Sequence, residues 1–580
     1  MTAKTDLDQK VHRMLKPFTV TGIVVTGVSI IVMAGVYVTL EAAPEPFPAQ
    51  DANAAAAAQD KPYMMGPNRC ILCHRKNFDP TKDDPSTAMC LMDESTIWKK
   101  NDKHSQAYQL LLDDLGKNMA EKLGWKIQDL SKRSECLSCH AGWHWHKDDD
   151  LMTPQAPRSY ERGVTCESCH GPSSLWERQH DLPEWRSKSI EDKEATGFID
   201  VRNPERRARQ CFSCHIGDAK LGRVVTHEMY AAGHPPLPGI EIETFASEMP
   251  SHWRNLRQKQ DFKHRDAFIK ATRPGYAQHV ATDLPQTKSV VIGGVMALRQ
   301  SLQLFAGTAR DSGWPELAVF DCQACHHDLK VPSPRQRLGY GNRIPGRPSI
   351  SAWPSALIAL GIGLGNGPGA DAAAKEFADK MALLEQELNA RPFGRSERIE
   401  AIVTGTDGIV PWLDALAHKL LQTSFDRGAA VSLLKQLTEL PPKHYPDYNS
   451  ARQIAWAIVT IHAELKGTYP EFKPLPENET LTARFEREQA DVRAFQLWKI
   501  DHRKRRTVIV DQLKSYAGKD NPDFELILRL PPRVDAAAPA NAPGGIVGQL
   551  QKSLEAIGHY DPYTFQGVLK QLADSGDLAL

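Results

Sequence analysis

Five times the chain spells C-x-x-C-H: C-I-L-C-H at Cys70–His74, C-L-S-C-H at Cys136–His140, C-E-S-C-H at Cys166–His170, C-F-S-C-H at Cys211–His215 and C-Q-A-C-H at Cys322–His326. Two thiols three positions apart, followed at once by an imidazole, suit covalent haem attachment. The thiols add across the haem vinyl groups, and the histidine then sits beneath the iron as its proximal ligand. With 11 Cys and 21 His in 580 residues, a random chain would hold roughly 0.008 copies of the pattern. Zinc also takes Cys and His, but its sites close four ligands with a second C-x-x-C or H-x-x-x-H at short range. Disulfides would leave five histidines in the same slot unexplained. The reading is five covalent haem c groups, attached through Cys70, Cys73, Cys136, Cys139, Cys166, Cys169, Cys211, Cys214, Cys322 and Cys325. His74, His140, His170, His215 and His326 would be the proximal iron ligands, and Cys90 is left over as a buried or incidental thiol.

A haem iron takes a second axial ligand, and its identity sets the chemistry: a second His suits electron transfer, an open position suits binding a small molecule. Nine non-proximal histidines lie between residues 100 and 280: His104, His144, His146, His180, His227, His234, His252, His264 and His279. His327 follows a proximal one, and the last 250 residues hold only His418, His444, His462, His502 and His559. That enrichment marks several of the ten as ligands. For any single one, a surface or propionate-contacting role is the plain alternative.

The chain is long enough for two to four domains. Its formal net charge of zero offers no field for nucleic acid, and none is expected as a partner. The negative mean hydropathy, -0.44, suits a chain whose cofactors bring apolar surface of their own. Phe18–Leu40 carries no charge over 23 positions; as a helix it would be about 34 Å long, enough to cross a bilayer. Lys4, Lys10, Arg13 and Lys16 precede it, and Glu41–Asp60 has acids but no Lys or Arg. That asymmetry places residues 1–17 in the cytoplasm and everything after the span outside, as bacterial c-type haem attachment requires. A cleavable signal peptide is the competing reading; the apolar run exceeds the usual h-region.

The expected organisation is mainly α: a transmembrane anchor at 18–40, a Pro/Ala linker at 41–61, an irregular tetrahaem region with short helices at 62–235, a fifth-haem region at 236–345 and a haem-free helical domain at 346–580. Val290–Phe305 is an apolar amphipathic run. Helical periodicity marks Ala372–Asn389, Val410–Leu421, Ala429–Leu437, Ala451–Lys466 and Thr482–Tyr516, with two last helices near 546–557 and 562–574. The basic run H-R-K-R-R at 502–506 reads as a solvated helix face, with a docking patch for an acidic partner as the alternative.

The order of motifs resembles the tetrahaem cytochromes c of the c-554 type, electron acceptors of hydroxylamine oxidoreductase in ammonia oxidisers. The resemblance rests on R-C-I-L-C-H, then K-H-S-Q-A-Y, E-C-L-S-C-H, R-G-V-T-C-E-S-C-H-G-P, W-E-R-Q-H and R-Q-C-F-S-C-H, over about residues 66–235. G-H-P-P-L at 233–237 and C-H-H-D-L at 325–329 look like segments of larger relatives. The resemblance implies that His104 and His180 are distal ligands of haems other than the nearest in sequence, and that His227 or His234 serves another. It also implies an open sixth position over His140, although W-H-W-H here puts His144 and His146 nearby to cap it.

Three functions follow as expectations. The first is a membrane-anchored periplasmic pentahaem cytochrome passing electrons between redox proteins of the periplasm or membrane. The second is a multihaem oxidoreductase acting on a small nitrogen or sulfur compound at one five-coordinate haem, for which no catalytic residue can be assigned. The third is a scaffold in which haems serve folding.

Overall fold

A computed structural model of the protein describes residues 61–75, 92–126, 133–142, 159–253, 283–311, 313–326, 331, 336, 339–341, 343–466, 507, 510–511 and 560–575. These are mainly helical; among them strand pairing is limited to the isolated bridges Asp218–Arg223 and Phe320–Ile350. The anchor, the linker and the helices expected at 482–516 and 546–557 lie outside the described residues, apart from single positions. The haem-motif region carries α1 (Pro67–His74), α2 (Glu94–Asn101), α3 (Asp114–Lys122), α4 (Ser134–His140), α5 (Cys166–His170), α6 (Pro183–Ser187), α7 (Ile190–Glu194), α8 (Pro204–His215), α9 (His227–Ala232) and α10 (Ile242–Glu248). Then come α11 (Pro285–Ala309), α12 (Ile358–Asn366), α13 (Ala370–Ala390), α14 (Ser396–Thr404), α15 (Ile409–Gln422), α16 (Arg427–Glu439), α17 (Tyr448–Lys466) and α18 (Pro562–Asp574).

The two sets differ in what can hold them. Helices of five to twelve residues do not persist alone in water, and the apolar cluster peculiar to the first set is small: Met64, Tyr108, Leu111, Leu137 and Ala141. The second set surrounds α11. Val290–Phe305 is the interior of that helix; its most apolar window has a mean hydropathy of 1.3 and is 72% buried within the protein. A helix apolar on nearly every side must be enclosed, and α8, α10, α12, α14, α15 and α17 all pack on it. Close approach uses glycine: a Cβ at Gly294 would lie 2.6 Å from Leu357 Cβ, and one at Gly361 of α12 would lie 2.6 Å from Val295 Cγ2. The expected helices at 372–389, 410–421, 429–437, 451–466 and 562–574 are found as α13, α15, α16, α17 and α18. The Gly-rich α12 and the short α14 carry too little intrinsic helical signal to be read in advance.

Asp60–Leu580 forms one unit, and α8 belongs to both helix sets. It ends in the fourth C-x-x-C-H, while its Ala208 and Phe212 are fully buried in the large core. Arg209 of α8 and Arg299 of α11 both reach Asp414 of α15, at 2.8 and 3.1 Å. Arg207 of α8 bonds Glu243 of α10 and donates to Ser289 Oγ of α11 at 2.6 Å.

The start of α11 is capped by a side chain from α17. Glu464, 1% exposed, accepts from the Gln286 and Thr287 N–H groups at 3.0 and 2.6 Å and from Thr287 Oγ1 at 2.7 Å. Burial raises its pKa to about 7 from 4.5, against those hydrogen bonds. Between these two values the folded protein holds a proton that the unfolded chain has released, so stability falls as pH rises through that window. Thermal unfolding should show Glu464→Gln gaining on the wild type from pH 4.5 to 7, by on the order of 3 kcal/mol. Parallel curves would mean that Glu464 does not titrate there.

Candidate haem sites

The first four motifs each end a helix: α1, α4, α5 and α8 close on His74, His140, His170 and His215. At i and i+3 the two cysteines share a helix face, and the histidine that follows is carried to the helix end. Local capping sets these ends. Asn203 accepts from the Glu205 and Arg206 N–H groups ahead of α8, and Thr165 with Ser168 forms a reciprocal box at α5. The fifth motif lies on a short 3-10 turn, Cys322–Ala324, capped by Asp321. All ten motif cysteines are thiols outside any disulfide.

Four of the proximal histidines face a second imidazole brought from elsewhere in the chain. Ring centres are 6.0 Å apart for His74 and His180, 6.2 Å for His215 and His104, 6.5 Å for His140 and His234, and 6.2 Å for His326 and His227. A metal–imidazole bond is about 2.0–2.1 Å, which puts two rings on opposite sides of one metal about 6.3 Å apart, centre to centre. The pairs therefore fit a six-coordinate haem iron, which needs two protein donors because porphyrin supplies four. Among the described residues no cluster of three or more His, Cys, Asp or Glu gathers as a metal site, so these donor sets fall short of the four that structural zinc takes.

The ring nitrogens are oriented for ligation. Nδ1 of His74 bonds Glu94 Oε2 at 2.8 Å and Nδ1 of His104 bonds Asp102 Oδ1 at 2.9 Å. Nδ1 of His140 donates to the Ala107 carbonyl and that of His234 to the Pro235 carbonyl, each at 2.8 Å; His180 uses the Glu177 carbonyl. Fixing Nδ1 leaves Nε2 as the ligand. Burial pushes His215 and His234 down to about 4 and lowers His140, which keeps these imidazoles neutral and able to bind metal. At His74 the Glu94 hydrogen bond raises the pKa; at His104 burial opposes the rise and Asp102 outweighs it.

The motifs neighbour one another in an order unlike their order in sequence. The Cys70 thiol meets Cys166, and the Cys139 thiol meets Cys214. Cys169 lies within electrostatic reach of Cys211 and Cys214. His227 and His234 flank α9, which links the second motif to the fifth. The series is thus first, third, fourth, second, fifth. Cys73, Cys322 and Cys325, at its two ends, are exposed, as is Leu72 at 62%; the cysteines of the inner motifs are half-buried.

Two buried residues lock these neighbours. Glu167, inside the third motif, accepts from the Met65 and Gly66 N–H groups at 2.8 and 2.7 Å and from Ser173 N–H at 2.9 Å, clamping α5 to the entry of α1. Arg223, 1% exposed, donates from Nε to the Ser138 carbonyl at 2.9 Å and from Nη2 to the Gly142 carbonyl at 3.4 Å, and its Nη1 bonds Ser213 Oγ. It ties the second motif to the fourth.

Residues 69–171 match the family model described as cytochrome c554 and c-prime. Over this stretch the chain is similar to the cytochrome c554 family of multihaem cytochromes. The match runs from just before the first motif to just after the third, and it implies covalently bound haem c. No curated protein and no solved structure matches the chain.

His104 and His180 stand opposite the histidines of motifs other than the nearest in sequence, and His227 and His234 each face the histidine of a motif. His144 and His146, named as candidates to cap the position over His140 that the resemblance left open, lie outside the described residues; the described ring beside His140 is that of His234. Sequence reasoning did not find Glu94, Asp102 or Arg223. Asp102 could have been suspected from D-x-H, since it also caps the turn at His104, accepting its N–H at 3.0 Å.

Arg223 pairs with no carboxylate among the described residues, so its charge acts on the second and fourth sites. Arg223→Gln should lower the midpoint potentials of both haems, by about 59 mV for each tenfold change in the one-electron equilibrium. Spectroelectrochemical titration reads this, and unchanged potentials would show the charge to be screened.

Proposed function

We propose that the protein is a membrane-anchored pentahaem c-type cytochrome of the bacterial periplasm, which carries electrons between redox proteins of the periplasm or inner membrane. The observation that carries this reading is the set of four cross-motif imidazole pairs at 6.0–6.5 Å. Two strong-field nitrogen ligands on an iron keep it closed to substrate and suit it to one-electron transfer. Haem c supplies the redox couple at each site. The chain's own residues hold the histidines by Nδ1, clamp neighbouring motifs through Glu167 and Arg223, and leave Cys73 of the first motif and both cysteines of the fifth exposed for partners. The uncharged run at 18–40 and the charge asymmetry around it support an anchor with the N-terminus in the cytoplasm.

A pyridine haemochrome assay on protein extracted from membranes should give five haems per chain; four or fewer, or full recovery in the soluble fraction, sinks the corresponding half of the reading. The crossed pairing has its own test. His104→Ala should open the iron of His215, not that of His74, its nearest neighbour in sequence. Electron paramagnetic resonance, combined with removal of the fourth motif (Cys211→Ala with Cys214→Ala), would show the new high-spin signal disappearing with that haem. A signal that survives the removal assigns His104 elsewhere.

A further inference from the structure

Between Asp328 and Asp371 the chain has five basic residues, Lys330, Arg335, Arg337, Arg343 and Arg347, and no acid. The stretch follows the fifth motif directly, and its described end is folded back beside that motif. The Ser349 carbonyl accepts from the Asp321 N–H at 2.7 Å, and Phe320 and Ile350 form a bridge. The Ile344 N–H donates to Asn389 Oδ1, at the end of α13, at 3.0 Å. Phe393, just beyond α13, sets its ring edge-on to Phe320 at 5.4 Å. Three segments therefore meet around the turn that carries Cys322 and Cys325. We propose that they form a docking surface for an acidic electron-transfer protein, which exchanges one electron with the haem of the fifth motif. The inference rests on the pentahaem carrier proposed above, and it names where one partner binds and of what charge.

Charge is the first reason. Arg343, Arg347 and Arg391 form no ion pair among the described residues; Arg343 reaches only the Tyr340 carbonyl and Ser349 Oγ, at 3.4 and 3.3 Å. Arg395 and Arg398 share one carboxylate, that of Glu387. The acids on the motif's own side are turned to the backbone. Asp321 accepts from the Gln323 N–H, and Glu316 accepts from those of His227 and Ala318. Uncompensated guanidinium groups on a chain of zero net charge make a local positive field, which steers an acidic partner and orients it.

The second reason is what those charges surround. Cys322 and Cys325 are exposed, and Leu317, Tyr340 and Ile344 present apolar surface on the same segments. Transient electron-transfer contacts are small, with an apolar centre inside a charged rim, and arginine and tyrosine are favoured in them. An anionic lipid surface would also draw arginines, but it would cover the attachment site that a redox partner must approach. In the docked pair one electron crosses from the reduced partner, which is oxidised, to the ferric haem, which is reduced; no bond forms or breaks.

The test uses the full-length holoprotein and, as probe, flavodoxin, a small acidic one-electron carrier. Oxidised flavodoxin should bind by calorimetry at low ionic strength, and reduced flavodoxin should reduce the protein at a rate that falls steeply with salt. Arg343→Glu with Arg391→Glu should weaken binding and slow the low-salt rate by about tenfold or more. Lys375→Glu with Lys435→Glu makes the same charge change on exposed lysines, near the start of α13 and on α16. That pair should change neither quantity by more than about twofold. In roughly 1 M salt, where the Debye length is about 3 Å, the wild-type and arginine-variant rates should converge.

Equal losses from the two double variants, or no loss from either, overturn the docking surface and leave the carrier reading standing. So does a rate gap that persists in high salt, which would trace the loss to a changed potential. If the arginine variant loses binding to phosphatidylglycerol vesicles but keeps flavodoxin, the patch belongs to lipid and the proposal fails. Mass spectrometry that finds no haem on Cys322 and Cys325 of the wild type defeats the five-haem reading itself.

Discussion

Four motif histidines each face a second imidazole brought from far along the chain, and much of the arrangement of the motif-bearing part follows from that pairing. His74 meets His180, His104 meets His215 and His140 meets His234, so each junction closes a loop of about a hundred residues. Loop closure on that scale opposes folding, and the short helices that end in the motifs have little apolar core of their own to offset it. A covalently attached porphyrin changes the balance. Haem attached at the cysteines would hold one imidazole of each pair close to the cofactor, and its macrocycle would add the apolar surface that the side chains lack.

The second constraint is rigidity between sites. The helical part supplies it through α8, which places the fourth motif at one end and buries Ala208 and Phe212 in the large core. Its arginines run to α10, α11 and α15, so the fourth motif cannot shift without disturbing the packing around α11. These ion pairs are partly exposed and add little stability one by one. Their contribution is registry: three helices agree on where α8 lies. Glu167 and Arg223 then carry that registry to the neighbouring motifs, through backbone groups that no surface substitution would move.

Much of this was legible in advance, and what was not had a common physical cause. C-x-x-C-H is a local pattern because both thiols and the proximal ring act on one cofactor edge, so spacing alone reveals it. The helices α13, α15, α16, α17 and α18 were legible because each buries one periodic face. Distal pairing is different: no local rule says that His180 crosses to His74, or that His234 stands beside His140. That information resides in the three-dimensional path of the chain, and so do the partners of Nδ1. Glu94 lies 20 residues from His74 and Ala107 lies 33 from His140, distances at which sequence carries no proximity signal.

Those Nδ1 partners are of two chemical kinds, and the difference falls along the series of sites. At the first site His74 is held by the carboxylate of Glu94, and at the fourth His104 is held by that of Asp102. At the second site His140 and His234 both lean on backbone carbonyls. A carboxylate draws the Nδ1 proton more strongly than a carbonyl, which makes Nε2 a better donor and favours the ferric iron. Arg223, which pairs with no carboxylate among the described residues, places a positive charge beside the second and fourth motifs and acts in the opposite sense. The second site thus has both influences that raise a potential, the fourth has one of each and the first has the one that lowers it. The surroundings of the paired imidazoles therefore differ in charge among the first, fourth and second motifs even where both rings are histidines.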